Sequence, residues 1–232
     1  MANFVSSRTA EQSLVAALFK SLYWQMAAAL TITGLTAWFV ANSPTMLNAI
    51  FSNSASIWII LIAQIGVVLW LSSRLFSMSM TSATLLFILY SVLTGLTFSA
   101  LFLVYSGESI ASTFFVTAGT FLVMSIIGYT TKMDLSKMGN ILIMMLVGII
   151  IASVVNIFLA SSSLYWIITY VGVIVFVGLI AWDTQKIRNA FIQHGLYDES
   201  AQKLALMGAL MLYIDFINLF LYLLRILGNS RE

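Results

Sequence analysis

Residues 204–227 read LALMGALMLYIDFINLFLYLLRIL. A run this long and apolar exceeds any ordinary strand. As a helix it reaches about 36 Å, enough to cross the roughly 30 Å hydrocarbon core of a bilayer. One acid, Asp215, interrupts it in the middle. A carboxylate inside a bilayer costs several kcal/mol, so such residues are rare and face a polar interior. Asn218, Tyr222 and Arg225 follow Asp215 at intervals of three and four and make one polar stripe with it. Such a stripe is intolerable toward lipid, which points to a last helix that is central in its bundle.

The same pattern recurs outward along the chain. Apolar runs long enough to span occur seven times, near 21–41, 56–72, 83–105, 110–129, 141–160, 164–182 and 204–227. With 61% hydrophobic and only 8% charged residues, and a mean hydropathy of +1.04, the chain is excluded from the soluble globular class. Backbone polar groups find no water in lipid, so spans this apolar are helices. The expected fold is an all-α membrane protein, a bundle of seven transmembrane helices. Residues 1–20 read as a cytoplasmic N-terminal segment and 21–232 as a single seven-helix domain. The apolar run after Lys20 is too long for a signal peptide and lacks a cleavage site, so it reads as a retained first span. Thr9 followed by Gln12 fits a capping box, which predicts a short surface helix over 10–20.

Basic residues set the orientation. Arg8 and Lys20 precede the first span, Arg74 follows the second, Lys132 and Lys137 the fourth, and Lys186, Arg188 and Lys203 the sixth. The loops after spans one, three and five hold no Lys or Arg. By the positive-inside rule the N-terminus is cytoplasmic. Seven full crossings then put Arg225 and Arg231 outside, against the rule. Either the last helix is held there by its neighbours, or it is re-entrant.

Small residues at helical spacing, Ser91, Gly95 and Ser99 in the third span and Gly148, Ala152 and Asn156 in the fifth, predict close helix packing. Trp24, Trp38, Trp58 and Trp166 lie near span ends and read as interfacial anchors. A net charge of +2 with scattered Lys and Arg excludes nucleic acid as a partner and leaves the lipid bilayer. There is no Cys, hence no disulfide or thiolate site. The single His194, in a polar turn, is no candidate base. No phosphate-binding Gly-Lys-Ser or Gly-Lys-Thr loop is present, no cofactor is indicated, and the chain does not read as an enzyme.

A second acid, Asp183, stands at the end of FVGLIAWDTQ. The polar stretch 186–203 is expected to protrude, with a turn around Gly195 to Ser200. In an antiparallel hairpin, residues equidistant from the turn share a depth, and the midpoint of 183 and 215 is residue 199. The two carboxylates therefore belong within about one helical turn of the same depth. Two carboxylates in a poorly solvated site cannot both ionise cheaply, so a meeting pair shares a proton and acts as a pH sensor. When ionised, the pair and the Asn218 carbonyl offer only oxygen ligands, a set that suits Ca²⁺. The plainer reading is that each Asp caps a helix or pairs with Lys or Arg.

Ala181-Trp182-Asp183-Thr184-Gln185, the stretch from Leu212 through Asp215 to Phe220, and Leu223-Leu224-Arg225-Ile226 resemble the signature of the Bax inhibitor-1 family. Gly128-Tyr129-Thr130-Thr131-Lys132-Met133-Asp134-Leu135-Ser136 resembles its turn after the fourth span. The likeness covers essentially the whole chain and is closest to bacterial inner-membrane members. It implies six helices around the seventh and a passive, pH-sensitive Ca²⁺ leak gated by Asp183 and Asp215. Family members also use an arginine at the end of the second helix as a latch in the open state. Aligning Trp70 puts Ser72 at that place, with Arg74 two residues on as the candidate latch. Asn218 and Tyr222 are then candidate pore-lining residues. The resemblance implies an alternative as well, a non-conducting modulator of a membrane-anchored quality-control protease. An intramembrane aspartyl protease is disfavoured, because no Gly-x-Gly opens the backbone before Asp215.

Overall fold

The computed structural model describes residues 2–229, with side chains from residue 12 onward. Nine α-helices follow one another among these residues: α1 (Ala2–Ala41), α2 (Pro44–Phe51), α3 (Ser54–Arg74), α4 (Met80–Phe98), α5 (Leu101–Val104), α6 (Gly107–Thr130), α7 (Ser136–Leu159), α8 (Ser162–His194) and α9 (Glu199–Leu227), with one 3-10 turn, Leu75–Ser77, after α3. Seven are long and apolar enough to cross a membrane. The fold is an all-α membrane protein, as the apolar runs require. In α9, 61% of the apolar stretch is buried within the protein, against 6% in α3 and 11% in α7, so α3 and α7 are the helices left for lipid to cover.

Local chemistry explains the ends. Ser43 caps α2 through a bond from Met46 N, with Pro44 in the first turn, where its missing N–H costs nothing. The expected loop after the first span is therefore a short helix. Ser79 and Ser106 cap α4 and α6 in the same way. The third apolar run is broken at Ser99 and Ala100 instead of running unbroken to 105. The surface helix expected over 10–20 is not separate: α1 passes through Lys20 into the first span without a break. The Thr9 side chain lies outside the described residues.

The contacts divide the chain into two compact units. One joins residues up to Tyr105 with Asn189–Tyr213. Here Gly95 of α4 lies against α1 so closely that a Cβ would meet Thr36 Cβ at 2.6 Å and the Thr33 carbonyl at 2.7 Å. The small-residue stripe of the third span does pack a helix. Polar groups in this packing are paired: Thr33 Oγ1 lies 2.7 Å from the Tyr213 hydroxyl and 3.0 Å from the Ser91 carbonyl, and Gln64 donates to Thr94 Oγ1 at 2.8 Å. The rings of Phe87 and Tyr90 meet Tyr213 edge-on.

The turn between α8 and α9 belongs to the same unit. Gly195, at φ +69°, closes α8 in the left-handed conformation that glycine adopts without strain. Asp198 Oδ1 then accepts from Ala201 N at 2.8 Å and from His194 Nε2 at 2.9 Å.

The other unit joins Ser106–Arg188 with Ile214–Ser230. Gly128 of α6 abuts the Ala181 backbone of α8, Gly139 of α7 lies under the Trp182 ring, and Gly178 of α8 lies under Leu142. The stripe of the fifth span behaves differently. Gly148 has open space around it, and the buried face of α7 is Gly139, Leu142 and Ile149. At the far end of α9, Asn229 N donates to Ser109 Oγ at 2.8 Å and Ser106 N donates to the Asn229 carbonyl. The start of α6 thus touches the end of α9, while the end of α6 touches Ala181. In this unit α9 finishes at the end opposite to the Asp183 end of α8.

Two predictions follow from these contacts. Gly128→Ala drives a Cβ into backbone that cannot move aside and should lower stability in detergent by about 1–3 kcal/mol. Gly148→Ala should leave stability unchanged or raise it by about 1 kcal/mol, both read from SDS or thermal unfolding. Asp198 has a carboxyl held below the ordinary carboxylate range, first by its bond from Ala201 N and then by His194. A lowered folded pKa gives a cap fully present above the ordinary value and lost as pH falls through the lowered one. Protection from hydrogen exchange at residues 199–202, taken relative to the intrinsic rate at each pH, should therefore be full at neutral pH and fall as pH drops below the ordinary carboxylate range. Asp198→Ala should lack that protection at every pH.

Candidate functional site

Asp183 on α8 and Asp215 on α9 are both in the second unit, 7% and 5% exposed. The two acids face one another between α8 and α9, each acting electrostatically on the other. Among the described residues Asp183 Oδ1 and Asp215 Oδ2 are buried with no hydrogen-bond partner, and neither acid forms an ion pair. Lys186 acts on both acids from a distance, its Nζ held 4.9 Å from the centre of the Trp182 ring. The plainer reading, in which each Asp caps a helix or pairs with a cation, does not describe these contacts.

The surroundings hold the Asp183 end of α8 rigidly. Thr184 Oγ1 donates to the Ile180 carbonyl at 2.7 Å within the helix. Gln185 clamps the connection between α6 and α7, accepting from Leu135 N at 2.9 Å and donating to the Met133 carbonyl at 2.7 Å. Arg188 donates to the Tyr129 carbonyl. Reading the sequence assigned no work to Gln185. Its signal was its place in the Trp-Asp-Thr-Gln string, two residues beyond the acid.

The stripe on α9 continues from Asp215. Asn218 Nδ2 donates to the Ile214 carbonyl at 2.8 Å, which leaves its amide oxygen for another partner. The Tyr222 ring covers Gly172 and lies 5.8 Å from the Phe176 ring. The Arg225 guanidinium stands 5.2 Å from Tyr222 and 5.3 Å from Tyr165. Asp215, Asn218 and Tyr222 all line one cavity of about 460 Å³. Its other walls include Ile149, Ser153 and Val154 of α7 and Phe176 of α8. Ser153 and Phe176 were not singled out in the sequence, where nothing separates them from the apolar packing of their helices. Arg74 ends α3 on an exposed surface and belongs to the first unit. Among the described residues no group of three or more His, Cys, Asp or Glu could hold a metal.

Helices of this length, with two buried carboxyl groups facing one another between two of them, define a multi-pass membrane protein with an ionisable interior. The family model described as inhibitor of apoptosis-promoting Bax1 matches residues 15–232. The chain belongs to the Bax inhibitor-1 family. It is 51% identical over 211 residues to the inner membrane protein YbhL of Escherichia coli K12, covering 90% of each chain. An uncharacterized protein of Borreliella burgdorferi is 48% identical over 209 residues, 89% of each chain. Another from Rickettsia prowazekii is 45% identical over 211 residues, 91% of this chain and 89% of its own.

Gln185→Ala should leave Leu135 N and the Met133 carbonyl without partners and cost about 1–3 kcal/mol of stability. Exchange at residues 133–136 should rise well before global unfolding. Unchanged exchange there would show that the clamp is dispensable.

Proposed function

We propose that this protein is a passive leak for cations, Ca²⁺ first among them, in the inner membrane of a bacterium, and that a shared proton controls it. The observation that carries the reading is the carboxyl pair itself, two buried acids facing one another, each with one oxygen that has no hydrogen-bond partner among the described residues. With the proton in place a hydrogen bond ties α8 to α9. Without it, two like charges at contact repel and present oxygen ligands to a hard cation. Ca²⁺ takes six to eight oxygens as a rule, and two carboxylates with the Asn218 amide oxygen fall short of that. Such a set suits passage, with water completing the shell, better than storage. In this reading Asp215 is the gate, Asp183 its proton-sharing partner, and Asn218 and Tyr222 line the path. Arg74 is the candidate latch on the resemblance alone.

The basic residues support a cytoplasmic N-terminal segment over residues 1–20, and seven crossings carry the C-terminus outside. Two aromatic faces around Arg225 supply what holds that charge against the positive-inside rule.

The test is Ca²⁺ flux into proteoliposomes over a pH series. The wild type should conduct with a rate that changes with pH, and Asp215→Asn should flatten that dependence. No flux, or flux indifferent to pH, would overturn the leak. The modulator reading would then be tested by capture of a protease from solubilised membranes.

A further inference from the structure

We infer that the cavity beside Asp215 binds a lipophilic amine that enters from the membrane, its nitrogen on the Asp215 carboxyl and its hydrocarbon along α7. The cavity, about 460 Å³, falls among the volumes of small-molecule sites, roughly 300–1,000 Å³. Its two ends differ in chemistry. Toward α7 the wall is Ile149, Ile150 and Val154, and toward α9 it is Asp215, Asn218 and Tyr222. Asp215 is 5% exposed, and its Oδ2 has no partner in the protein. Ile150 and Val154, by contrast, are more than half exposed on a membrane-crossing helix, so the mouth faces lipid.

Charge selects the occupant. A hydrocarbon tail alone would fill the apolar end and leave Oδ2 unsatisfied. A hydrated cation in passage would use the polar face alone and leave the wall of isoleucine and valine uncovered. An amine meets both ends. Arriving neutral, it takes the proton of the carboxyl pair and becomes an ammonium against a carboxylate, so no net charge is carried into the low-dielectric site. The other charged groups acting on Asp215 are Asp183 and Lys186 of α8. Among the described residues neither is bonded to Oδ2, and a turn of the Asp215 side chain brings that oxygen to the cavity the residue lines. This site does not depend on conduction, and its test contains no ion gradient.

The probe is dodecylamine carrying a mid-chain diazirine, applied to the full chain in lipid nanodiscs free of divalent cations, with adducts mapped by mass spectrometry. Adducts are expected within residues 146–157 and 214–222. Plain dodecylamine should suppress them and dodecanol should not. Asp215→Asn should reduce labelling by about tenfold or more. Val154→Trp, which fills the cavity from its exposed wall and leaves both acids in place, should reduce it as well. Equal suppression by dodecanol, or labelling indifferent to Asp215→Asn, would make the cavity a lipid-tail pocket and overturn the proposal. Absence of adducts in both segments would overturn it too. Should Asp215→Asn fail to fold, the dodecanol comparison and Val154→Trp decide the question.

Discussion

Two buried carboxyl groups that face one another set the terms for the second unit. They meet only while α8 and α9 hold Asp183 and Asp215 together. The rest of the packing around α8 serves that placement. Gly128 lets α6 press on the Ala181 backbone, Gly139 seats the Trp182 ring, and Gln185 ties the α6–α7 connection to the same turn of helix. Residues 181, 182 and 185 thus each lock the helix within two positions of the acid. On the α9 side, Phe216 packs edge-on against Phe114 and Phe121, one residue from the other carboxyl. Aromatic pairs of this kind contribute about 0.5–1.5 kcal/mol each beyond their buried area.

Much of this was legible in the sequence because the bilayer restricts the possibilities. Length and hydropathy place seven spans, and hairpin symmetry about residue 199 puts the two acids at one depth. What was not legible has physical reasons. The small-residue motif has the same appearance whether a helix neighbour or lipid lies opposite, so Gly95 and Gly148 read alike yet differ in the structure. Pro44 reads as a turn residue but is equally suited to the first position of α2. Polarity signalled that 186–203 leaves the membrane, and it does not reveal that α8 stays helical to His194. The cavity beside Asp215 depends on side chains from three helices, and no local pattern marks its apolar wall.

The last helix shows how packing can outweigh a charge rule. Arg225 lies close to the end of α9, and counted by loop charge alone it argues for a cytoplasmic C-terminus. In the structure its guanidinium is held between the rings of Tyr165 and Tyr222, and Asn229 is bonded to the start of α6. Cation–π contacts are worth roughly 0.5–2 kcal/mol, a local stabilisation that the loop-charge rule does not count.

The unsatisfied oxygens separate a structural role for the acids from a functional one. Each buried polar atom without a partner costs about 1–3 kcal/mol, whereas well-packed apolar residues at the same places would cost nothing of the kind. The pair is therefore a poor device for stability alone. Among the described residues neither Asp183 Oδ1 nor Asp215 Oδ2 has a hydrogen-bond partner. The two acids are not equivalent. Asp183 lies near Lys186 and the clamped end of α8, while Asp215 lines a cavity whose outer wall is open to lipid. The pair is therefore approached most readily from the Asp215 side.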